Sequence, residues 1–158
     1  IDKNITLNAS EYRDISELSA VRYIRFADGS LFLLQSAGES YGSAPQGSFQ
    51  YKGNLLMFDR NTNFSRESGT VTVNVDFGGK SFDLTGDTSN YTVSGAGYVD
   101  TNFGTLSSSN STVRKSGVNK NASIKGSLHG NGADGVSGVI YTSGSTPRYT
   151  GAFAGAKR

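Results

Sequence analysis

The sequence predicts an all-β protein closed into a small antiparallel barrel, and three observations carry that reading. Short apolar–polar alternations recur at roughly ten-residue spacing, each bounded by turn residues, which is the pattern of successive strands rather than of helices. The cleanest is Gly69-Thr-Val-Thr-Val-Asn-Val-Asp-Phe77, with Val71, Val73, Val75 and Phe77 on one face and Thr70, Thr72, Asn74 and Asp76 on the other. Finally, a Gly-rich stretch, Leu128-His-Gly-Asn-Gly-Ala-Asp-Gly-Val-Ser-Gly-Val-Ile140, leads into Arg148-Tyr-Thr-Gly-Ala-Phe-Ala-Gly-Ala-Lys-Arg158. Gly130, Gly132, Gly135 and Gly138 allow a tight turn with positive φ. The closing strand is expected to cover a sheet edge that would otherwise invite aggregation.

Each element follows from its local chemistry. Residues 1–19 are polar and weakly alternating, with room for one helical turn over residues 10–18. Ala20–Phe26 and Ser30–Ser36 are strand-forming runs that flank Ala27-Asp-Gly29, which predicts a hairpin with mixed polar and apolar faces. A loop at 38–47 carries Gly42, Ser43 and Pro45, and a strand run from Gly47 to Asp59 follows, with Gly53 where a barrel strand would bend. Arg60–Ser68 reads as a polar loop. Gly78-Gly79 turns the valine strand into Lys80–Gly86, where Phe82 and Leu84 alternate, and Asn90–Asp100 supplies another strand. Residues 102–120 are Ser- and Asn-rich and read as a long exposed loop or a ragged edge hairpin. Ala122–His129, Gly135–Ser143 and Arg148–Ala154 complete the set.

Composition sets the bounds. The 158 residues suit one domain with a real core, and 21 Gly against 2 Pro gives many turns without a Pro-rich linker. There is no Cys, so disulfides, thiol nucleophiles and Cys-ligated zinc or iron–sulfur clusters are excluded. A net charge of +2, dispersed along the chain, argues against nucleic acid or an anionic membrane surface as partner. No segment approaches eighteen apolar residues. Any signal peptide or lipid-bearing Cys would lie upstream of Ile1, so any membrane attachment would run through such an anchor. Asn-x-Ser/Thr sequons at Asn4, Asn8, Asn63, Asn90, Asn110 and Asn121 are chance products of an Asn- and Ser-rich chain.

Few residues suggest chemistry. His129 is the only histidine and the first candidate for a haem ligand or general base, but its place in a barrel hairpin makes it a packing residue. Gly130-Asn-Gly-Ala-Asp134 has the look of a calcium-binding repeat, yet it occurs once and reads as a turn. Asp59, Arg60, Arg66 and Glu67 bracket the polar loop and read as a solvated charge group. The densest aromatic–cation cluster is Tyr12, Tyr23, Tyr41 and Tyr51 with Arg13, Arg22 and Arg25. Two readings of it stand: an interface in which Tyr and Arg anchor a partner or a Tyr phenolate holds haem, or core tyrosines beside solvated arginines. Tyr51 belongs with the core, which leaves Tyr23, Tyr41, Arg22 and Arg25 as the candidate ligand-binding set. There are no paired carboxylates, no phosphate loop and no triad, so an enzyme is the weakest class and no cofactor is required.

Four segments resemble one family in order. Pro45-Gln-Gly-Ser-Phe-Gln-Tyr-Lys-Gly53 looks like the strand that opens the barrel of transferrin-binding protein B relatives. Gly69–Phe77 with Lys80 and Leu84 is similar to that family's G-T-V…D-F-x-x-K-x-L hairpin. Leu128–Ile140 resembles its F-Y-G-P-N-A-x-E-V-G-G-x-F, and Gly151-Ala-Phe-Ala-Gly-Ala-Lys-Arg158 its terminal G-A-F-G-G-K-R. Two positions depart from the pattern: His129 stands where an aromatic is usual, and Ser137 where Gly is usual. The resemblance implies an eight-stranded barrel over residues 45–158, preceded by a short handle-like hairpin within residues 1–44. It further implies a surface lipoprotein or secreted relative of a Gram-negative bacterium, exported by an outer-membrane translocator. The expected partner is a host protein or haem, with iron or haem acquisition as the first reading. Complement evasion or host colonisation is the second, and a lipocalin-like carrier of a small apolar ligand the third.

Overall fold

The computed structural model describes the backbone of residues 21–25 and 31–35, and in full residues 41–62, 65–144 and 147–158. The described residues form two sheets. β1 (Val21–Arg25) and β2 (Leu31–Gln35) form an antiparallel hairpin in which Tyr23 lies opposite Leu33, as the Ala27-Asp-Gly29 signal predicts. The other eight strands close into an antiparallel barrel. They are β3 (Ser48–Asp59), β4 (Ser65–Asp76), β5 (Ser81–Asp87), β6 (Tyr91–Asp100), β7 (Thr105–Lys115), β8 (Val118–His129), β9 (Gly135–Thr142) and β10 (Tyr149–Lys157). Each pairs with its neighbour in sequence, and β10 closes the ring against β3, with Phe153 opposite Leu55. No barrel edge is left to pair with another chain, which is the role expected of the last strand. The stretch 1–20, including the helical turn expected at residues 10–18 and both Tyr12 and Arg13, lies outside the described residues.

Period-two alternation sorts every barrel strand into an inner and an outer face. The inner positions form a continuous core that includes Tyr51, Leu55, Met57, Val71, Val73, Val75, Phe77, Phe82, Leu84, Ile124, Ile140 and Phe153. Burying these side chains stabilises the barrel by roughly 2 kcal/mol each. Gly138 shows how tightly the interior is filled. A Cβ there would lie 2.5 Å from both the Phe153 ring and the Lys125 carbonyl, so its small size makes room for Phe153 rather than supplying a turn.

One sector of the outer face is also buried. Leu56, Phe58, Val139 and Ala152 alternate with inner residues, so they point outward, yet none is more than 9% exposed. They lie on β3, β9 and β10, and the backbone of β2 runs alongside β9 and β10. The barrel therefore has a covered flank, which explains why most outer positions of its last two strands are as buried as inner ones.

Two expectations are corrected. Residues 102–120 are neither an exposed loop nor an edge: they hold all of β7 and the start of β8, two strands within the closed ring. Their inner positions alternate Leu106, Ser108, Ser111 and Val113, and Ser108 and Ser111 are buried and share a 2.8 Å hydroxyl hydrogen bond. Two buried serines satisfy each other across a β-bulge, so the strand carries no hydrophobic stripe for periodicity to detect. The polar loop after Asp59 is also shorter than expected, because β4 already begins at Ser65.

Candidate functional site

The barrel has two ends built on opposite principles. At one end the chain leaves β3 through a 3₁₀ turn, Arg60–Thr62, and Asp59 turns its side chain inward. Its carboxylate is 1% exposed and accepts from Lys115 Nζ at 3.0 Å and Arg148 Nε at 3.4 Å, and from the Asn61 amide at 2.9 Å. Lys115 also donates to the Tyr91 hydroxyl at 3.3 Å and stands 4.8 Å above that ring. Tyr91 and Tyr149 meet edge to face at 5.3 Å, and the Arg148 guanidinium lies 5.0 Å from the Tyr149 ring. Burial alone would raise the Asp59 carboxyl, but the bonds from Lys115, Asn61 and Arg148 outweigh it and hold it below the usual range. Burial likewise pulls the Lys115 ammonium down, and its bonds to Asp59 and Tyr91 more than reverse that. This end is a plug. Asp59 is thus no solvated loop charge. It is the centre of an ion-pair and aromatic cluster whose members come from β3, β6, β7, β10 and, for Arg148, the residue just before β10.

Beside the plug, Glu67 accepts from the Thr88 hydroxyl at 2.7 Å, the Asn90 amide at 3.0 Å and the Asn90 side chain at 2.6 Å. These bonds overcome its partial burial and lower its carboxyl. They fix the turn between β5 and β6, so this carboxylate is committed to the scaffold.

The opposite end is closed by the chain itself. Residues 41–47 cross the barrel mouth before β3 begins, held by a Gly42 amide bond to the Gly130 carbonyl at 3.0 Å. Tyr41 packs against the core with its hydroxyl donating to the Thr101 carbonyl at 2.6 Å. Its ring lies against Gly104, where a Cβ would come within 2.4 Å and where φ is +68°. Burial and the nearby Asp100 raise the Tyr41 hydroxyl, which opposes the phenolate that haem ligation would need. Tyr51, as expected, is a core residue: it is fully buried, donates to the Ala133 carbonyl, and is pushed up to about 12 by burial first, then by Asp134 and Tyr41. Lys157 joins the rim, bonded to the Gly132 carbonyl at 2.8 Å and 4.6 Å above the Phe49 ring. Gly130–Asp134 is a turn, and no group of three or more metal-ligating side chains occurs among the described residues.

Of the predicted ligand-binding set, Arg22, Tyr23 and Arg25 stand in β1, opposite Leu34, Leu33 and Leu31. Tyr41 stands at the mouth. His129 is buried on the outer side of β8, with Nε2 2.5 Å from the Ser137 hydroxyl. The two positions that depart from the family pattern are therefore one hydrogen-bonded pair, and His129 packs as expected. Sequence reasoning passed over Tyr98 and Phe103, the most exposed large hydrophobic side chains among the described residues at 78% and 76%. Both lie toward the mouth end, Tyr98 near the end of β6 and Phe103 in the turn that follows.

The described residues thus form a closed eight-stranded barrel and a separate hairpin, with one end plugged and an exposed aromatic pair at the other. Comparison with solved structures places its fold more narrowly. The chain resembles a variant of transferrin binding protein B from Actinobacillus pleuropneumoniae H49, with a TM-score of 0.61 at 12% identity over 96% of this chain and 84% of that one. A surface lipoprotein gives a TM-score of 0.60 at 11% identity, covering 98% and 80%. Transferrin binding protein B from serogroup B Neisseria meningitidis gives 0.59 at 12% identity, and there the match covers 96% of this chain but 37% of the longer protein. The chain has a transferrin-binding-protein-B-like barrel fold. No family model and no curated protein matches the sequence.

Proposed function

We propose that this chain is a non-catalytic binding protein displayed on the surface of a Gram-negative bacterium, that its partner is a host protein, and that its task is iron acquisition. The observation that carries this reading is a fold likeness spanning nearly the whole chain, to proteins whose names state transferrin binding and surface display. The molecule's own chemistry agrees. The ionisable residues at the Asp59 end are tied into the scaffold, while the mouth end presents Tyr98 and Phe103 to solvent, and aromatic anchors of this kind dominate protein interfaces. Recognition would fall to the mouth-end turns and the β1–β2 hairpin, including Arg22, Tyr23 and Arg25, held by a rigid barrel. Export through an outer-membrane translocator and an upstream lipid anchor complete the proposal.

A carrier of small apolar ligands fits less well, because Phe77, Phe82, Phe153 and their neighbours fill the inner face. Direct haem ligation by Tyr41 would require breaking its bond to Thr101. The test is capture from host serum on the immobilised protein, with the bound proteins identified. Transferrin or haemoglobin supports iron acquisition, a complement regulator supports evasion instead, and no captured protein overturns the host-protein reading. Addition of hemin with no Soret band would dispose of haem as a direct ligand.

A further inference from the structure

A groove of about 540 Å³ crosses the outer face of β6–β9, away from the plug and bordering the covered flank, since Lys125 lies opposite Val139. It follows from two neighbouring β-bulges. The β6–β7 register shifts between Gly95 and Tyr98, and the β7–β8 register shifts between Ser108 and Ser111. Bulges bend strands and re-aim side chains, and here they hollow the barrel wall. Along one cross-strand row, Tyr98 lies opposite Ser107 and Ser107 opposite Lys125. One row further along β8, Ser123 lies opposite Tyr141. Successive strands are about 4.8 Å apart, so Tyr98 and Lys125 stand roughly 10 Å from each other across a serine.

Apart from Ser108, which is bonded to Ser111, the groove's polar side chains are uncommitted. Tyr98, Ser107, Ser109, Ser123, Lys125 and Tyr141 make no side-chain hydrogen bond or ion pair to the other described residues. An equally large groove over β3–β6 behaves differently. There Gln50 donates to Asn74 at 3.1 Å, Asn74 donates to Asp83 at 2.9 Å, and Asp76 caps the Gly79 amide at 3.0 Å. In the β6–β9 groove the lining holds one charge, Lys125, and no carboxylate.

We propose that this groove binds an acidic saccharide, a short glycan bearing a sugar carboxylate. Lys125 supplies the charge complement through a charge-assisted hydrogen bond, the serine hydroxyls face sugar hydroxyls, and the Tyr98 and Tyr141 rings present negative π-faces to the polarised C–H bonds of a pyranose. An apolar ligand would leave the lysine and the row of hydroxyls without partners. The groove shares Tyr98 with the mouth-end rim proposed above, whereas Ser107, Ser123, Lys125 and Tyr141 lie outside the mouth-end turns, so Lys125→Ala separates the two sites.

Titration of the intact chain with sialyllactose and with a hyaluronan tetrasaccharide tests the proposal, because the two probes carry the same carboxylate chemistry on a sialic acid and on a uronic acid. At least one is expected to bind, with backbone amide shifts around Tyr98, Lys125 and Tyr141. Lactose, which lacks the carboxylate, is expected to bind at least about tenfold more weakly, and Lys125→Ala to weaken the acidic probe by a similar factor. Thermal stability of Lys125→Ala should match the parent, since the side chain is exposed and makes no contact that folding needs. Failure of both acidic probes to bind, equal binding of lactose, or undiminished binding by the folded variant would overturn the assignment.

Discussion

The two ends of the barrel divide its labour. At the Asp59 end, side chains from four strands converge on one buried carboxylate, and charge, hydrogen bonds and aromatic rings are spent inside the molecule. At the Tyr41 end a segment of backbone crosses the opening, so few side chains are needed to close it, and Tyr98 and Phe103 are left in water. A buried ion pair contributes little net stability when intact, yet is costly to break by halves. An exposed aromatic contributes little to the fold, but a great deal to an interface. The comparison teaches that the interactions committed to stability sit at one pole and the proposed recognition surface at the other, and substitutions at each pole should therefore fail in different ways.

The largest expected effect is at the plug. Asp59→Ala leaves Lys115 and Arg148 without their shared acceptor and should destabilise by about 3 kcal/mol, read as a lowered denaturant midpoint. That is the low end of such costs, because Arg148 is partly exposed. The covered flank comes next. His129→Phe strands the buried Ser137 hydroxyl and should cost about 2 kcal/mol, whereas adding Ser137→Gly to it restores the usual family pair and should recover most of the loss. A double-mutant cycle with no coupling would show that the two departures are unrelated.

Acid should act on the plug end first. Asp59 and Glu67 have folded-state carboxyls below their ordinary values of 3.8 and 4.5, so their stabilisation is full above those values and is lost as pH falls through the lower folded ones. A chain carrying Asp59→Asn should show a shallower loss of stability below about pH 4 than the parent. At the mouth, Tyr41→Phe removes one hydrogen bond and should cost about 1 kcal/mol. Smallest in stability is Tyr98→Ala with Phe103→Ala, expected within about 0.5 kcal/mol of the parent.

How much of this was legible in the sequence depended on whether the signal was local. The valine strand, the Gly78-Gly79 turn and the β1–β2 hairpin are written in neighbouring residues, and alternation reveals them. β7 escaped because its inner face uses Ser108 and Ser111, which look like surface residues until the bulge brings their hydroxyls together. The plug escaped because Asp59 and Lys115 are 56 residues apart, and only the closed ring places one over the other. The His129–Ser137 pair was visible as two separate departures from a pattern, while the bond between them required the β8–β9 register. Tyr98 gave no warning, since an exposed tyrosine and a buried one occupy the same strand pattern and the bulge decides where this one points.

The division of labour between the two ends is tested most directly by hydrogen exchange of the whole chain, free and bound to the host protein captured from serum. The account predicts new protection at residues 41–47, 98–104 and 130–134, with the amides of 59–62 and 115–118 unchanged. Protection confined to the Asp59 end, with the mouth-end turns exchanging as in the free protein, would contradict it.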